Sequence, residues 1–505
     1  MHPLIFLALL QAAQPTACYE IFVRSFYDSN GDGIGDLRGL TQKLDYISGL
    51  GADCVWLMPV AESPSYHGYD VTDYYRIEPD YGTNEDFKAF VAAAHQHHIR
   101  VLVDLVLNHT SSQHPWFQEA LSDTASPHRS WYRWSTTPGN NWHKSPVSGE
   151  YYFGLFWSGM PDLNWENPAV MEEMKHVARF WLDSMHVDGF RLDAVRHLVE
   201  VGNEVSNTPG THQVLRDFGQ YVRSIAPQSY TIGEVWDNTD VILTYYPDQL
   251  DAYFAFPISE ALMEAVRTGK AGGLIPTVLQ FQRAEPEWRW APFQRNHDQT
   301  RTMTALRNDT AGATLAATIL LTLPGVPFVY YGEEIGMTGD KPDERLRTPM
   351  QWNGSSRGFT NGKPWETLQS DTLGTNVAAE DRRAGSLLDH YRKLMRLRAT
   401  NRALREGRLE PIESGSESVL AYMRVQDSSS VLVLVNLGNT RAPAPAPANL
   451  IGAMTAPPAG VHVQVGWRDL LARGNPRRAS LPALAPRRAY VYELTEIVIK
   501  KRTNP

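Results

Sequence analysis

Residues 99–109 read IRVLVDLVLNH, an apolar run broken by Asp104 and closed by Asn108 and His109. Its apolar positions hardly alternate, so it is expected to be a strand buried on both faces, as in a parallel sheet covered by helices. Helix-period text precedes it at 84–98, where Asn84 opens a segment carrying Phe87 and Phe90. Further upstream, ADCVWLMP (52–59) and YEIFVRSF (19–26) have the same strand character, with helical text at 39–50 between them. Downstream come VDGFRLD (187–193), YTIGEVW (230–236), DAYFAF (251–256), the segment before Asn296, and VPFVYYG (326–332). Eight such strands, each next to helical text, predict a (β/α)8 TIM barrel whose ligand chemistry sits on loops at the C-terminal strand ends.

The third crossover is too long for a connection. About 75 residues rich in Trp, Tyr, Gly and Pro follow Asn108, and a loop beyond about 15 residues is normally functional or an inserted unit. Residues 109–175 are therefore expected to form a subdomain walling the cleft, which leaves 18–108 and 176–402 for the barrel. From 403 to 500 the rhythm changes to SVLAYMRV, SSSVLVLVNLG, VHVQVGW and AYVYELTEIVI, short strands joined by Pro, Gly and Ser. They predict a C-terminal all-β sandwich of two packed sheets, ahead of a solvated KKRTNP tail.

Residues 1–17 contain an apolar run, Leu4 to Leu10, of signal-peptide length and too short to span a bilayer. Export to a secreted or periplasmic location is the expectation, with a cytoplasmic location as the alternative because a basic start is missing. Ala17-Cys18 carries a weak hint of lipoprotein cleavage. Cys18 and Cys54 are the only cysteines, which excludes a disulfide scaffold and a Cys-rich metal site, and Cys54 reads as a small buried hydrophobe. The net charge of -9, from 47 Lys+Arg against 56 Asp+Glu, argues against a nucleic-acid partner. Fourteen Trp and 22 Tyr suit a cleft that stacks flat, hydroxyl-rich ligands.

Four acids fall at expected strand ends: Asp104, Asp193, Glu234 and Asp298. Strand ends on one barrel face converge in space, and paired carboxylates across a cleft are what glycosidic cleavage needs. Arg191, two residues before Asp193, points to the same face of its strand and would hold Asp193 anionic. Glu234 has Val235 and Trp236 beside it, a drier setting suited to a proton donor. Asp193 as nucleophile and Glu234 as acid/base is the natural division.

These segments bring out a resemblance. DLVLNH (104–109), GFRLDAVRH (189–197), GEVW (233–236) and RNHDQTR (295–301) are similar, in order, to the four signature segments of the α-amylase family, glycoside hydrolase family 13; GVPFVYYGEE (325–334) resembles its last barrel strand. The resemblance runs from Tyr19 to the β-domain. It implies Asp193 as nucleophile, Glu234 as general acid/base and Asp298 as stabiliser of the distorted sugar, with Arg191 holding Asp193. It further implies that His109 and His297 bind hydroxyls of the sugar being cleaved and that Tyr69 stacks on its ring. The expected activity is a retaining α-glucan hydrolase cutting α-1,4 bonds in starch and maltooligosaccharides. MPDLN (160–164) and VRH (195–197) lean that way, with His197 on the leaving-group side. Asp70 and Arg347 lean toward the alternative, an exo-acting α-glucosidase or oligo-1,6-glucosidase with transglucosylation, because in such enzymes this pair closes the pocket.

DSNGDGIGD (28–36) offers Asp28, Asn30, Asp32, the Ile34 carbonyl and Asp36, oxygen donors at alternating positions across a Gly-rich turn. They are expected to hold a structural Ca²⁺, or Mg²⁺, unless the loop merely satisfies itself with Asx turns. Asn108, Asp162 and the His197 carbonyl are a weaker second set. No organic cofactor is expected.

Overall fold

The computed structural model describes residues 14–285, 289–427, 429–446, 461–478 and 480–501; most of the expected leader, the end of the Pro-Ala run and the terminal tail lie outside them. Among the described residues, one sheet holds eight strands: β1 (Cys18–Ile21), β2 (Cys54–Leu57), β3 (Arg100–Val106), β4 (Gly189–Asp193), β5 (Tyr230–Gly233), β6 (Ala252–Phe254), β7 (Trp290–Ala291) and β8 (Phe328–Tyr330). Their order is β7-β6-β5-β4-β3-β2-β1-β8, and a parallel bridge between Phe293 and Phe328 closes the ends into a barrel. All eight expected strands are present. None of the described helices is long and apolar enough to cross a membrane.

β1 is shorter than expected. After Ile21 the chain turns into a helical turn, Val23–Phe26, because Gly35 backs directly onto it. The Gly35 amide donates to the Arg24 carbonyl at 2.8 Å, and a Cβ at Gly35 would lie 2.1 Å from the Val23 carbonyl. A second correction concerns sulfur. Cys18 and Cys54 are both fully buried and both disulfide-bonded, so neither is a free thiol. Two cysteines set in separate apolar runs give no local sign of pairing. A sulfur already in a disulfide cannot also carry a lipid thioether, which removes the lipoprotein reading of Cys18.

The chain divides into two compact units, one with Cys54–Trp236 and Thr244–Tyr253, the other with Thr16–Asp53, Asp237–Leu243 and everything from Phe254 onward. In the first unit the long crossover does form a subdomain. A three-stranded antiparallel sheet of Trp134–Ser135, Tyr151–Phe153 and Trp142–Lys144 packs its aromatic face on helix Pro115–Ser122, with Phe117 4.9 Å from both Tyr132 and Tyr152. An antiparallel bridge between His109 and Asp162 ties the returning chain to the end of β3. The crossover after β2 holds a hairpin, Ala61–Glu62 with Asp73–Ile77, that the periodicity does not announce.

In the second unit the described C-terminal strands form one six-stranded antiparallel sheet, where two facing sheets were expected. They are β9 (Arg408–Pro411), β10 (Val419–Gln426), β11 (Ser429–Asn436), β12 (Val461–Asp469), β13 (Arg477–Arg478) and β14 (Arg488–Lys501), in the order β9-β10-β11-β14-β12-β13. One face carries its own cluster of Val419, Met423, Leu432, Leu434, Leu484 and Tyr492. The other face packs on helix Thr310–Thr322, which is buried nearly all round. That barrel helix stands where a second sheet was expected. The last carbonyls of a helix have no amide partner of their own; here two buried arginines take them. Arg424 donates to the Thr322 carbonyl at 2.6 Å, and Arg398 donates to those of Leu321 and Leu323 at 3.2 and 2.8 Å.

Candidate active site

β4 approaches β5 closely at Gly189, whose φ of 149° and absent Cβ are both required: a methyl there would sit 1.9 Å from the Tyr230 carbonyl. The register that follows pairs Arg191 with Asp104 on β3 and with Ile232 on β5. Alternation then puts Arg191 and Asp193 on one face, as the sequence requires. Arg191 is 1% exposed and binds three carboxylates. Its Nη1 lies 3.0 and 2.9 Å from the two oxygens of Asp104 and 2.6 Å from Asp193 Oδ1, while Nη2 lies 2.6 Å from Glu234 Oε2. The guanidinium also stacks over Trp56 at 4.9 Å. One rigid fork therefore holds the two proposed catalytic acids close together, as a retaining pair at about 5–5.5 Å would need. Ala194 leaves the strand in the left-handed region (φ 47°, ψ 33°), and its amide donates to Glu234 Oε2 at 3.2 Å.

Around this centre Tyr69 donates to Asp104 Oδ2 at 3.1 Å. His109 Nε2 donates to the Tyr69 carbonyl at 3.1 Å; burial depresses its pKa to about 4, so the ring is neutral. His197 is also lowered by burial and donates from Nδ1 to the Val205 carbonyl at 2.7 Å. Phe156 makes T-shaped contacts with both rings, 5.2 Å from His109 and 5.9 Å from His197, and is itself half exposed, as are Trp157 and Trp236. Asp70 is buried and accepts from Ser63 Oγ at 2.9 Å and from Ser65 Oγ.

The remaining expected residues belong to the second unit. Asp298 is held on both oxygens: Arg347 Nη2 lies 2.8 Å from Oδ1 and His297 Nε2 3.2 Å from Oδ2. Arg347, buried, also donates to the His297 carbonyl at 3.1 Å and reaches Asp343 at 3.4 Å. His297 Nδ1 faces Glu20 Oε1 at 2.5 Å. Burial opposes charge on His297, but Asp298 and Glu20 override it and raise its pKa to about 10, so it is an imidazolium at neutral pH. Glu20 escaped the sequence reading because it is one acid inside an apolar strand.

Two oxygen clusters bear on metal binding. In the 28–36 loop, Asp28 Oδ1 accepts from the Asn30 and Gly31 amides, Asn30 Oδ1 from Asp32 and Asp32 Oδ1 from Ile34. Asp36 caps the following helix through the Gly39 amide at 2.7 Å. In the first unit, Asn108 Oδ1, Asp162 Oδ2 and Glu200 Oε1 are buried without a hydrogen-bond partner. Burial first, then the Glu200 carboxylate, push Asp162 well above the usual carboxylate range. Among the described residues no three His, Cys, Asp or Glu side chains form a metal-holding group.

The α-amylase catalytic-domain family model matches residues 20–407. Alpha-amylase 3 of Dictyoglomus thermophilum is 44% identical over 430 residues, covering 83% of this chain and 84% of that protein. The trehalose synthase/amylase TreS of Mycolicibacterium smegmatis is 36% identical over 472 residues, covering 80% and 79%. The crystal structure of an α-amylase from H. orenii superposes with a TM-score of 0.82 at 37% identity, over 95% of this chain and 99% of that one. Oligo-1,6-glucosidases are also among the relatives, and isomaltulose synthases among the similar structures. With matching strands, matching segments and relatives above 30% identity along most of its length, this chain belongs to the α-amylase family, glycoside hydrolase family 13, and is a glycoside hydrolase.

Proposed function

We propose that this enzyme is a retaining α-glucosidase-type hydrolase that attacks short α-glucans from the non-reducing end and passes the glucosyl group to water or to a second sugar. The observation that carries this reading is the anchoring of Asp70 and Arg347. A side chain that selects the terminal sugar must be held rigidly, and each of these is buried and tied to neighbours in its own unit: Asp70 to two serines, Arg347 to Asp298, Asp343 and the His297 carbonyl. The relatives named trehalose synthase and oligo-1,6-glucosidase support it. Internal cleavage of starch, the reading favoured by MPDLN and VRH, keeps support in the 44% identical Alpha-amylase 3 and in the 37% identical α-amylase structure from H. orenii.

In the proposed mechanism the Asp193 carboxylate attacks the anomeric carbon while Glu234 protonates the departing glycosidic oxygen, giving a glucosyl ester and a released sugar. Glu234, now a carboxylate, takes a proton from water or a sugar hydroxyl, which attacks the same carbon and frees Asp193. Asp298 stabilises the sugar at the transition state, Arg191 keeps Asp193 and Glu234 in register, and Tyr69, His109 and His197 line the sugar site. Maltooligosaccharides labelled at the reducing end decide the mode of attack. Glucose released one unit at a time supports the terminal reading; early internal fragments with activity on soluble starch would restore the amylase. Arg347→Ala is expected to admit internal cutting and to lower the rate, since it also loosens Asp298.

We also propose a structural divalent cation on Asp28, Asn30, Asp32, the Ile34 carbonyl and Asp36. Hard oxygen donors suit Ca²⁺ or Mg²⁺, and each oxygen engaged in an Asx turn keeps a second lone pair. For the second set expected on Asn108, Asp162 and the His197 carbonyl, the support is the orphaned oxygens of Asn108 and Asp162, to which Glu200 adds a third. Removing metal should lower the melting temperature, because binding to the folded state adds stability. Verified metal-free protein that melts unchanged would refute both sites. Export remains our reading of the N-terminal apolar run, and the disulfide supports it, since such bonds persist in oxidising compartments. Finding the protein only in the cytosolic fraction of its native host would refute it.

A further inference from the structure

We propose that Glu20 is a positioning residue for the reaction: from inside β1 it holds His297 with a proton on each ring nitrogen, so that Nε2–H is fixed on Asp298. The argument begins with cost. A buried carboxylate is expensive unless it is paired, and Glu20 is only 2% exposed inside β1. Its Oε1 meets His297 twice, at 2.5 Å from Nδ1 and 3.4 Å from the backbone amide. On the far side of the ring Nε2 stands 3.2 Å from Asp298 Oδ2. An ionised carboxylate only accepts hydrogen bonds, so a ring between two of them must donate from both nitrogens. The His297 side chain has no exposure and cannot turn to water instead.

This gives Asp298 a cation on each oxygen, Arg347 on Oδ1 and His297 on Oδ2, while its side chain stays 31% exposed. Other charged or titratable groups of this unit near the arrangement include Asp343, which shares Arg347, and Tyr330, which senses Glu20, Arg347 and Arg301. Without the Glu20 charge, His297 keeps one proton, and which nitrogen carries it is no longer fixed. Asp298 then loses a defined donor. The proposal rests on the reading of Asp298 as a transition-state stabiliser, so the test must separate the two.

The experiment uses full-length protein with ¹⁵N-labelled histidine at pH 8, His297→Asn serving to assign the ring signals. Wild type should show two protonated nitrogens at His297. Glu20→Gln, which preserves shape and one acceptor oxygen, should lose one of those protons and lower kcat/KM on maltotriose about 10- to 100-fold, the size typical of an outer-shell partner, chiefly through kcat. Glu20→Asp, which restores the charge, should recover the doubly protonated ring. A purely structural role would be satisfied by Gln. A doubly protonated His297 in Glu20→Gln, or wild-type kcat/KM there, overturns the proposal. Asp298→Asn, run in parallel, tells the two failures apart. If it stays active, the reading of Asp298 falls and takes this proposal with it; if it is inactive while Glu20→Gln behaves as wild type, only the role of Glu20 falls.

Discussion

Asp193→Asn is expected to lower kcat on maltooligosaccharides about 10⁴-fold or more while leaving the melting temperature within a few degrees. The amide keeps the volume and can still face Arg191, so the fold has little reason to change. What disappears is the nucleophile: a neutral amide cannot form the glucosyl ester. Glu234→Gln should behave differently. It withholds the proton from the departing oxygen, so natural α-glucosides suffer as badly, but an aryl glucoside whose leaving group departs as a stable anion needs no such proton. That substrate should show a burst of phenolate from the first step, followed by slow turnover because no base activates water. Equal loss on both substrates would reverse or dissolve the assigned roles.

Changing Arg191 should be the most damaging alteration of the first unit. Its guanidinium touches Asp104, Asp193 and Glu234 at once and is buried against Trp56. Arg191→Met leaves those carboxylates without their shared cation, and breaking a buried ionic group by removing one partner typically costs about 3–5 kcal/mol. Arg191→Lys separates charge from geometry. Lysine restores one positive charge but cannot divide it among three acceptors in a plane. Its stability should recover in part, while kcat/KM stays about 10²-fold or more below wild type. Chemical denaturation and initial-rate kinetics on the two variants check this, and a fully active Lys variant would show that the fork does not set the register.

The residues that spoke in the sequence were those whose patterns are local. Unalternating apolar runs marked the first barrel strands, and acids expected near strand ends singled out Asp104, Asp193, Glu234 and Asp298, although Asp104 lies inside its strand and Asp298 well past the end of its own. Arg191 was placed correctly because a two-residue spacing on a strand fixes the face. What stayed hidden depends on distant partners. Glu20 is silent until His297 is seen beside it. Glu200 carries no signal until Arg133 and Asp162 surround it. Cys18 and Cys54 each look like core residues by composition. The C-terminal strands read as two packed sheets, but periodicity names no partner, and the described strands form one sheet with helix Thr310–Thr322 against one of its faces.

Closure of the barrel has a consequence for how the chain is made. β1 pairs with β8 from Cys18↔Phe328 to Glu20↔Tyr330. At a synthesis rate of about 5–20 residues per second, the first strand waits roughly 15 to 60 seconds for that neighbour to leave the ribosome. The wait continues further down the chain, because helix Thr310–Thr322 is apolar on nearly every side, and after Phe256–Thr268 its cover is completed only when Leu387–Thr400 and then the C-terminal sheet have been synthesised. Nascent chains stalled before residue 330 therefore display an unpaired strand edge, and those stalled before 387 leave part of an apolar helix uncovered. Both are surfaces that chaperones bind and that aggregate when crowded. Final assembly is consequently a late event, completed by nearly full-length chains.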